Sequence, residues 1–181
     1  MSELSKFCSE ISLLPLEGSA IFATSKKQNA YHPPVYESVI KTISDNVEYT
    51  DALRCIDFFC GHGMVSYQIK KTFNSEVIGV DINEFSEWNN FTGVNFFQRD
   101  VFEVIKLEPT FKFDIVVTFN TLRAESKTWG EEKYNSFLDW CSKHTNYIIT
   151  NRCTDKEFDD FELIDTIQIP NFFDTNLFKR K

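Results

Sequence analysis

The chain has 181 residues, enough for one domain that hides roughly 70% of its unfolded surface in a core. Its 42% hydrophobic and 25% charged residues are those of a globular protein, and the 19 phenylalanines, alongside abundant Asn, Lys and Ile, fit AT-rich coding DNA as well as an aromatic binding surface. A net charge of −8 argues against general nucleic-acid binding, and the basic clusters Lys26-Lys27, Lys70-Lys71 and Lys179-Arg180-Lys181 read as solvated surface.

The five cysteines (Cys8, Cys55, Cys60, Cys141, Cys153) form no CxxC pair and are odd in number, which predicts free thiols in a reducing, cytoplasmic compartment. His32, His62 and His144 have no spacing that would build a metal site with them, so no metal is expected. No apolar run is long enough to span a membrane, and the opening residues lack the pattern of a secretory signal.

In chain order, residues 1–50 read as a helical and irregular lead-in, a possible lid, before a regular domain over 51–181. Ser2 to Leu14 predicts an amphipathic helix ended by Pro15, Gly18 to Pro34 a loop, and Val35 to Asp45 a helix with Pro34 in its first turn. Leu53 to Phe59 is a nearly continuous apolar run, as in a strand buried on both faces. Met64 to Phe73 reads as a helix, Glu76 to Val80 as a strand, and Asn83 to Asn90 as a short helix or loop. Val94 to Gln98 is a third strand, Val101 to Lys106 a helical piece, and Phe113 to Phe119 a fourth strand. In the helix Glu131 to His144, Tyr134, Phe137, Leu138 and Cys141 recur at spacings of three and four. Tyr147 to Thr150, Phe161 to Gln168 and Asn176 to Lys179 complete the strands, the last two too close for a long helix between them. This alternation predicts an α/β fold, a mostly parallel twisted sheet with helices on both faces and an antiparallel C-terminal hairpin.

Gly61 and Gly63 follow the first strand and open a helix, so backbone N–H groups and the positive helix end can face a ligand there. Asp81 ends the second strand 20 residues after Gly61, the spacing of a carboxylate that takes ribose hydroxyls. Asp100 follows the third strand, within reach of an adenine amino group. Each of these acids has the plainer alternative of a helix cap or a loop residue. Asp57 lies inside a buried strand, four positions before Gly61, where a carboxylate is costly without a cationic or hydrogen-bonding partner. A nicotinamide dinucleotide would bring a pyrophosphate to that carboxylate, and Ser66 stands where its third glycine belongs. The amino group of S-adenosylmethionine (SAM) would instead supply a positive partner.

Asp57-x-Phe59-x-Gly61-x-Gly63 resembles the first motif of the class I, Rossmann-like SAM-dependent methyltransferases, with Phe59 replacing the usual first glycine. The resemblance implies SAM as cofactor. It implies a site of Asp57, Phe59, Gly61, His62 and Gly63, then Asp81 and Ile82 at the ribose, Asp100 and Val101 at the adenine, and Thr118 at the exit of the fourth strand. It also places the methyl acceptor beside Asn120, with His32 as a base or lid residue. Asn120-Thr121-Leu122-Arg123 lacks the Pro-Pro of amino-group methyltransferases, and the Pro-Cys of cytosine-C5 enzymes is missing. The acceptor, a nucleic acid or a small molecule, therefore stays open. Two alternatives remain: a non-catalytic SAM-binding subunit that serves a protein partner, and an NAD-type enzyme.

Overall fold

The computed structural model describes residues 2–16, 33–49, 52–119, 130–151 and 158–181. Two helices come first, α1 (Glu3–Leu13) and α2 (Pro33–Asn46). Then follow β1 (Leu53–Phe58), α3 (Met64–Thr72), β2 (Ser75–Asp81), a 3₁₀ turn (Ser86–Asn90), β3 (Val94–Gln98) and α4 (Val101–Val104). The chain continues through β4 (Phe113–Thr118), α5 (Glu131–His144), β5 (Thr145–Asn151), β6 (Phe161–Ile167) and β7 (Thr175–Arg180).

All seven strands form one sheet in the order β3-β2-β1-β4-β5-β7-β6. The first five run parallel, while β7 pairs antiparallel with both β5 and β6. The C-terminal hairpin thus joins the sheet through its second strand, leaving β6 as the edge. Order reverses at β1, which pairs with β2 on one side and β4 on the other. Open α/β sheets bind ligands in the crevice at the carboxyl ends of strands flanking such a switch.

Alternation along β1 divides the core. Ile56 and Phe58 join a cluster with Phe113, Phe137 and Trp140, while Leu53 and Cys55 join another with Val39, Val65 and Ile69. Burial on both faces explains why β1 reads as an unbroken apolar run. The lead-in helices contribute to both clusters. Leu4, Phe7 and Ile11 of α1 enter the first, and Val35, Val39 and Ile43 of α2 enter the second. Between β3 and β4 the chain forms only the four-residue α4, and α1 adds cover on that same face. Arg99, just after β3, holds α1 in place by donating to the carbonyls of Ile11 (3.1 Å) and Ser12 (2.7 Å).

Candidate functional site

The segment Phe59–Gly63 leaves β1 with three residues in the left-handed region: Phe59 (φ 60°), Gly61 (φ 54°) and Gly63 (φ 79°). Glycine tolerates this backbone freely, but a side-chain-bearing residue there costs about 1–2 kcal/mol. Phe59 is offset by its ring, which packs against the core beside Phe137. The predicted strand therefore ends one residue earlier than its apolar run. The turn closes through Cys60 N–H donating to Val80 (3.1 Å) and Gly63 N–H donating to Cys60 (2.9 Å). Burial raises the Cys60 thiol well above its ordinary value, so it is an inert packing group.

Two buried carboxylates hold this turn. Asp81 at the end of β2 accepts from Gly61 N–H (2.9 Å) through one oxygen and from Asn83 N–H (2.9 Å) through the other. Asp57 accepts from the Ser66 hydroxyl at 2.6 Å. Ser66, whose position in sequence matters chiefly as a missing glycine, is thus the partner of the buried acid. Burial raises Asp57 from 3.8 to about 7, opposed by the Ser66 hydrogen bond and reinforced by the negative charge of Asp81. Burial also raises Asp81, against the N–H groups of Asn83 and Gly61. Among the described residues neither acid forms an ion pair. Both carboxyls are therefore buried groups whose ionised forms a cationic group would stabilise.

A wall of aromatic side chains closes one side of the turn, and none of its members was a sequence candidate apart from His62. The Trp88 indole N–H donates to the Gly61 carbonyl at 2.8 Å, and its ring stacks on Phe96 at 4.9 Å. A Cβ on Gly63 or on Gly79 would lie 2.5 Å from the Phe96 ring, so glycine at both positions makes room for this stack. His62 packs on Phe85 (4.6 Å), and its Nδ1 stands 3.1 Å from Glu87.

The remaining candidates spread along the same sheet edge. Gln98 pairs in register with Asp81 and donates to the Ile82 carbonyl at 3.3 Å, tying the exits of β2 and β3 together. Asp100 caps α4, accepting from Phe102 N–H at 2.9 Å, and Val101 faces the core. Thr118 is fully buried, between Phe58 of β1 and Thr150 of β5. Asn120 and His32 lie outside the described residues. No group of three or more His, Cys, Asp or Glu among the described residues is placed to hold a metal.

A methyltransferase-domain family model matches residues 49–168, from the lead of β1 to the end of β6. The chain belongs to this family, the class I SAM-dependent methyltransferases. No curated protein matches it. Among solved structures, it resembles magnesium protoporphyrin IX methyltransferase from Synechocystis with bound SAM, at 13% identity and a TM-score of 0.61, covering 100% of this chain and 98% of the other. It also resembles the 1,6-didemethyltoxoflavin-N1-methyltransferase of Burkholderia thailandensis with bound S-adenosylhomocysteine (14% identity, TM-score 0.62, 86% and 79% of the two chains). A third is a TehB-like SAM-dependent methyltransferase from Corynebacterium glutamicum (12% identity, TM-score 0.55, 81% and 86%). At such identities the likeness is one of fold. In this methyltransferase the switch at β1, the glycine turn and both buried acids converge on one edge of the sheet. No described helix is long and apolar enough to cross a membrane.

Proposed function

We propose that this methyltransferase binds SAM across the carboxyl ends of β1, β2 and β3 and passes its methyl group to a small organic acceptor beyond β4. The carrying observation is the pair of buried carboxylates flanking the glycine turn, Asp81 bonded to Gly61 and Asp57 to Ser66, with no ion pair to either among the described residues. Asp81 would take the ribose hydroxyls, its oxygens keeping lone pairs beyond those given to Gly61 and Asn83. Asp57 would face the ligand's amino group, with Phe59, Gly61, His62 and Gly63 forming the floor. Ile82 and Asp100 would lead from ribose to adenine, with Val101 and Thr118 backing that path from the core, and Asn120 and His32 are the candidates at the acceptor itself. When bound, SAM supplies a methyl group activated on a sulfonium. The protein's part is to align that carbon with the acceptor and to exclude water.

A small acceptor is favoured by the net charge of −8, which repels polyanions. It also agrees with two similar structures, named for acting on magnesium protoporphyrin IX and didemethyltoxoflavin. The four described cysteines are free, in keeping with work in the cytoplasm. Calorimetry with S-adenosylhomocysteine tests the cofactor site: binding to the wild type that is lost in Asp81→Ala supports it, and no heat with the wild type overturns it. Incubation with methyl-labelled SAM and a fractionated extract tests the acceptor. Label in the small-molecule filtrate supports the proposal, label in RNA, DNA or protein overturns it, and binding without transfer to any fraction establishes the non-catalytic alternative.

A further inference from the structure

We infer that Trp88 is a positioning residue for the cofactor, holding the Gly61 peptide in the conformation that receives the ligand. The inference rests on the proposed SAM site at the glycine turn. Gly61 and Gly63 both occupy the left-handed region, where a glycine peptide turns over easily because no Cβ restrains it. Side chains grip the two ends of Gly61: Asp81 accepts from its N–H at 2.9 Å, and Trp88 donates to its carbonyl at 2.8 Å. Asp81 alone would leave the following peptide free to rotate, and the indole N–H fixes the direction of that carbonyl. The Gly61 carbonyl also receives the Cys60 thiol at 3.9 Å, a weak donor that a ligand N–H would outcompete for the second lone pair.

Trp88 is itself held firmly. Its ring lies nearly parallel to Phe96 (7° between planes), and Phe96 fills the space left by Gly63 and Gly79. The neighbouring residues of the same segment grip the turn as well, Phe85 packing on the His62 ring and Glu87 standing beside its Nδ1. The segment after β2 therefore clasps the turn from one side while Asp81 holds it from below.

Trp88→Phe removes the N–H and shortens the ring, while keeping an aromatic face toward Phe96. Expected are a melting temperature within about 4 °C of the wild type and S-adenosylhomocysteine binding weakened about five- to tenfold, the loss from one hydrogen bond. The chain holds three tryptophans, and in a ¹⁵N spectrum of the wild type the Trp88 indole signal is the one missing from Trp88→Phe. That signal should move on titration with S-adenosylhomocysteine, following the calorimetric Kd, and affinity lost while the melting temperature holds separates positioning from a merely structural role. Unchanged affinity in Trp88→Phe, with the wild type binding normally, overturns the inference while leaving the SAM site standing. Should that variant fail to fold, each tryptophan's signal is assigned in the wild type through its sequential neighbours, and a Trp88 signal unmoved at saturating ligand overturns the inference. No binding to the wild type overturns the SAM site and this inference together.

Discussion

Asp57→Asn should make the ligand-free protein more stable near neutral pH and a poorer binder of cofactor. Burial raises the Asp57 carboxyl from 3.8 to about 7. Between those pH values the folded chain keeps a proton that the unfolded chain has released, so stability falls as pH rises through the window. At about 1.4 kcal/mol per pH unit, the penalty reaches about 4 kcal/mol near pH 8 and only about 2 kcal/mol near pH 5.5. Asparagine imitates the protonated acid, retains an acceptor for Ser66 and never ionises. Its added N–H groups need acceptors, which costs about 1–3 kcal/mol if they find none. The expected net is a gain of about 1–3 kcal/mol near pH 8 that shrinks by about 2 kcal/mol near pH 5.5, read from urea unfolding at both pH values. In calorimetry, wild-type affinity for S-adenosylhomocysteine should fall about tenfold between pH 8 and pH 6 as binding forces a proton off Asp57. The variant should bind about tenfold more weakly at pH 8 and show only the titration of the ligand itself. A stability difference independent of pH would refute the burial reasoning, and an equal affinity in wild type and variant would refute the role of Asp57 at the ligand.

If Asp81 takes both ribose hydroxyls as proposed, Asp81→Ala should weaken S-adenosylhomocysteine binding by about a hundredfold or more in calorimetry, the worth of two charge-assisted hydrogen bonds. At position 59 the usual ranking of glycine below alanine should reverse. Phe59→Gly should be about 1 kcal/mol more stable than Phe59→Ala in denaturant titrations, because φ is 60°. Gly130→Ala should cost about 1–3 kcal/mol for its backbone alone (φ 80°, ψ 156°), a region essentially confined to glycine, since nothing lies within 4 Å of the added methyl. Gly63→Ala should cost about 1–2 kcal/mol for its left-handed backbone (φ 79°, ψ 12°) and about 1–3 kcal/mol more because its methyl meets Phe96 at 2.5 Å. Arg99→Ala frees the carbonyl end of α1, and amide exchange should quicken across Glu3–Leu13 while the core strands keep their protection.

The strands β1, β2, β4 and β5 are legible because each is buried on both faces, so apolar runs such as Phe113 to Phe119 stand out against the polar segments between them. The helix Glu131 to His144 is legible through its spacing of three and four. The role of the lead-in is not. Leu4, Phe7 and Ile11 predict an apolar stripe on α1, but the face it covers depends on the shortness of α4 and on Arg99, more than eighty residues away. Trp88 was hidden for a similar reason. Its segment is a 3₁₀ turn without a hydrophobic period, and its partners Gly61 and Phe96 are brought to it only by the pairing of β2 with β1 and β3.

Asp57 shows how far motif reasoning carries. A carboxylate inside an apolar strand demands a partner, and that demand is readable without any structure. What fills it is not, since two answers satisfy the same rule: a hydrogen bond from within the chain, or a cation from outside. The structure supplies the first through Ser66, nine residues on and one helical turn past Gly63. The Ser66 hydroxyl and N–H do not offset the burial of a charge, however, and the carboxyl rises to about 7 instead of falling below its ordinary range. An acid fully satisfied within the fold would sit low. Asp57 therefore keeps a demand for positive charge that the described residues leave unmet, and the amino group of the proposed ligand would meet it.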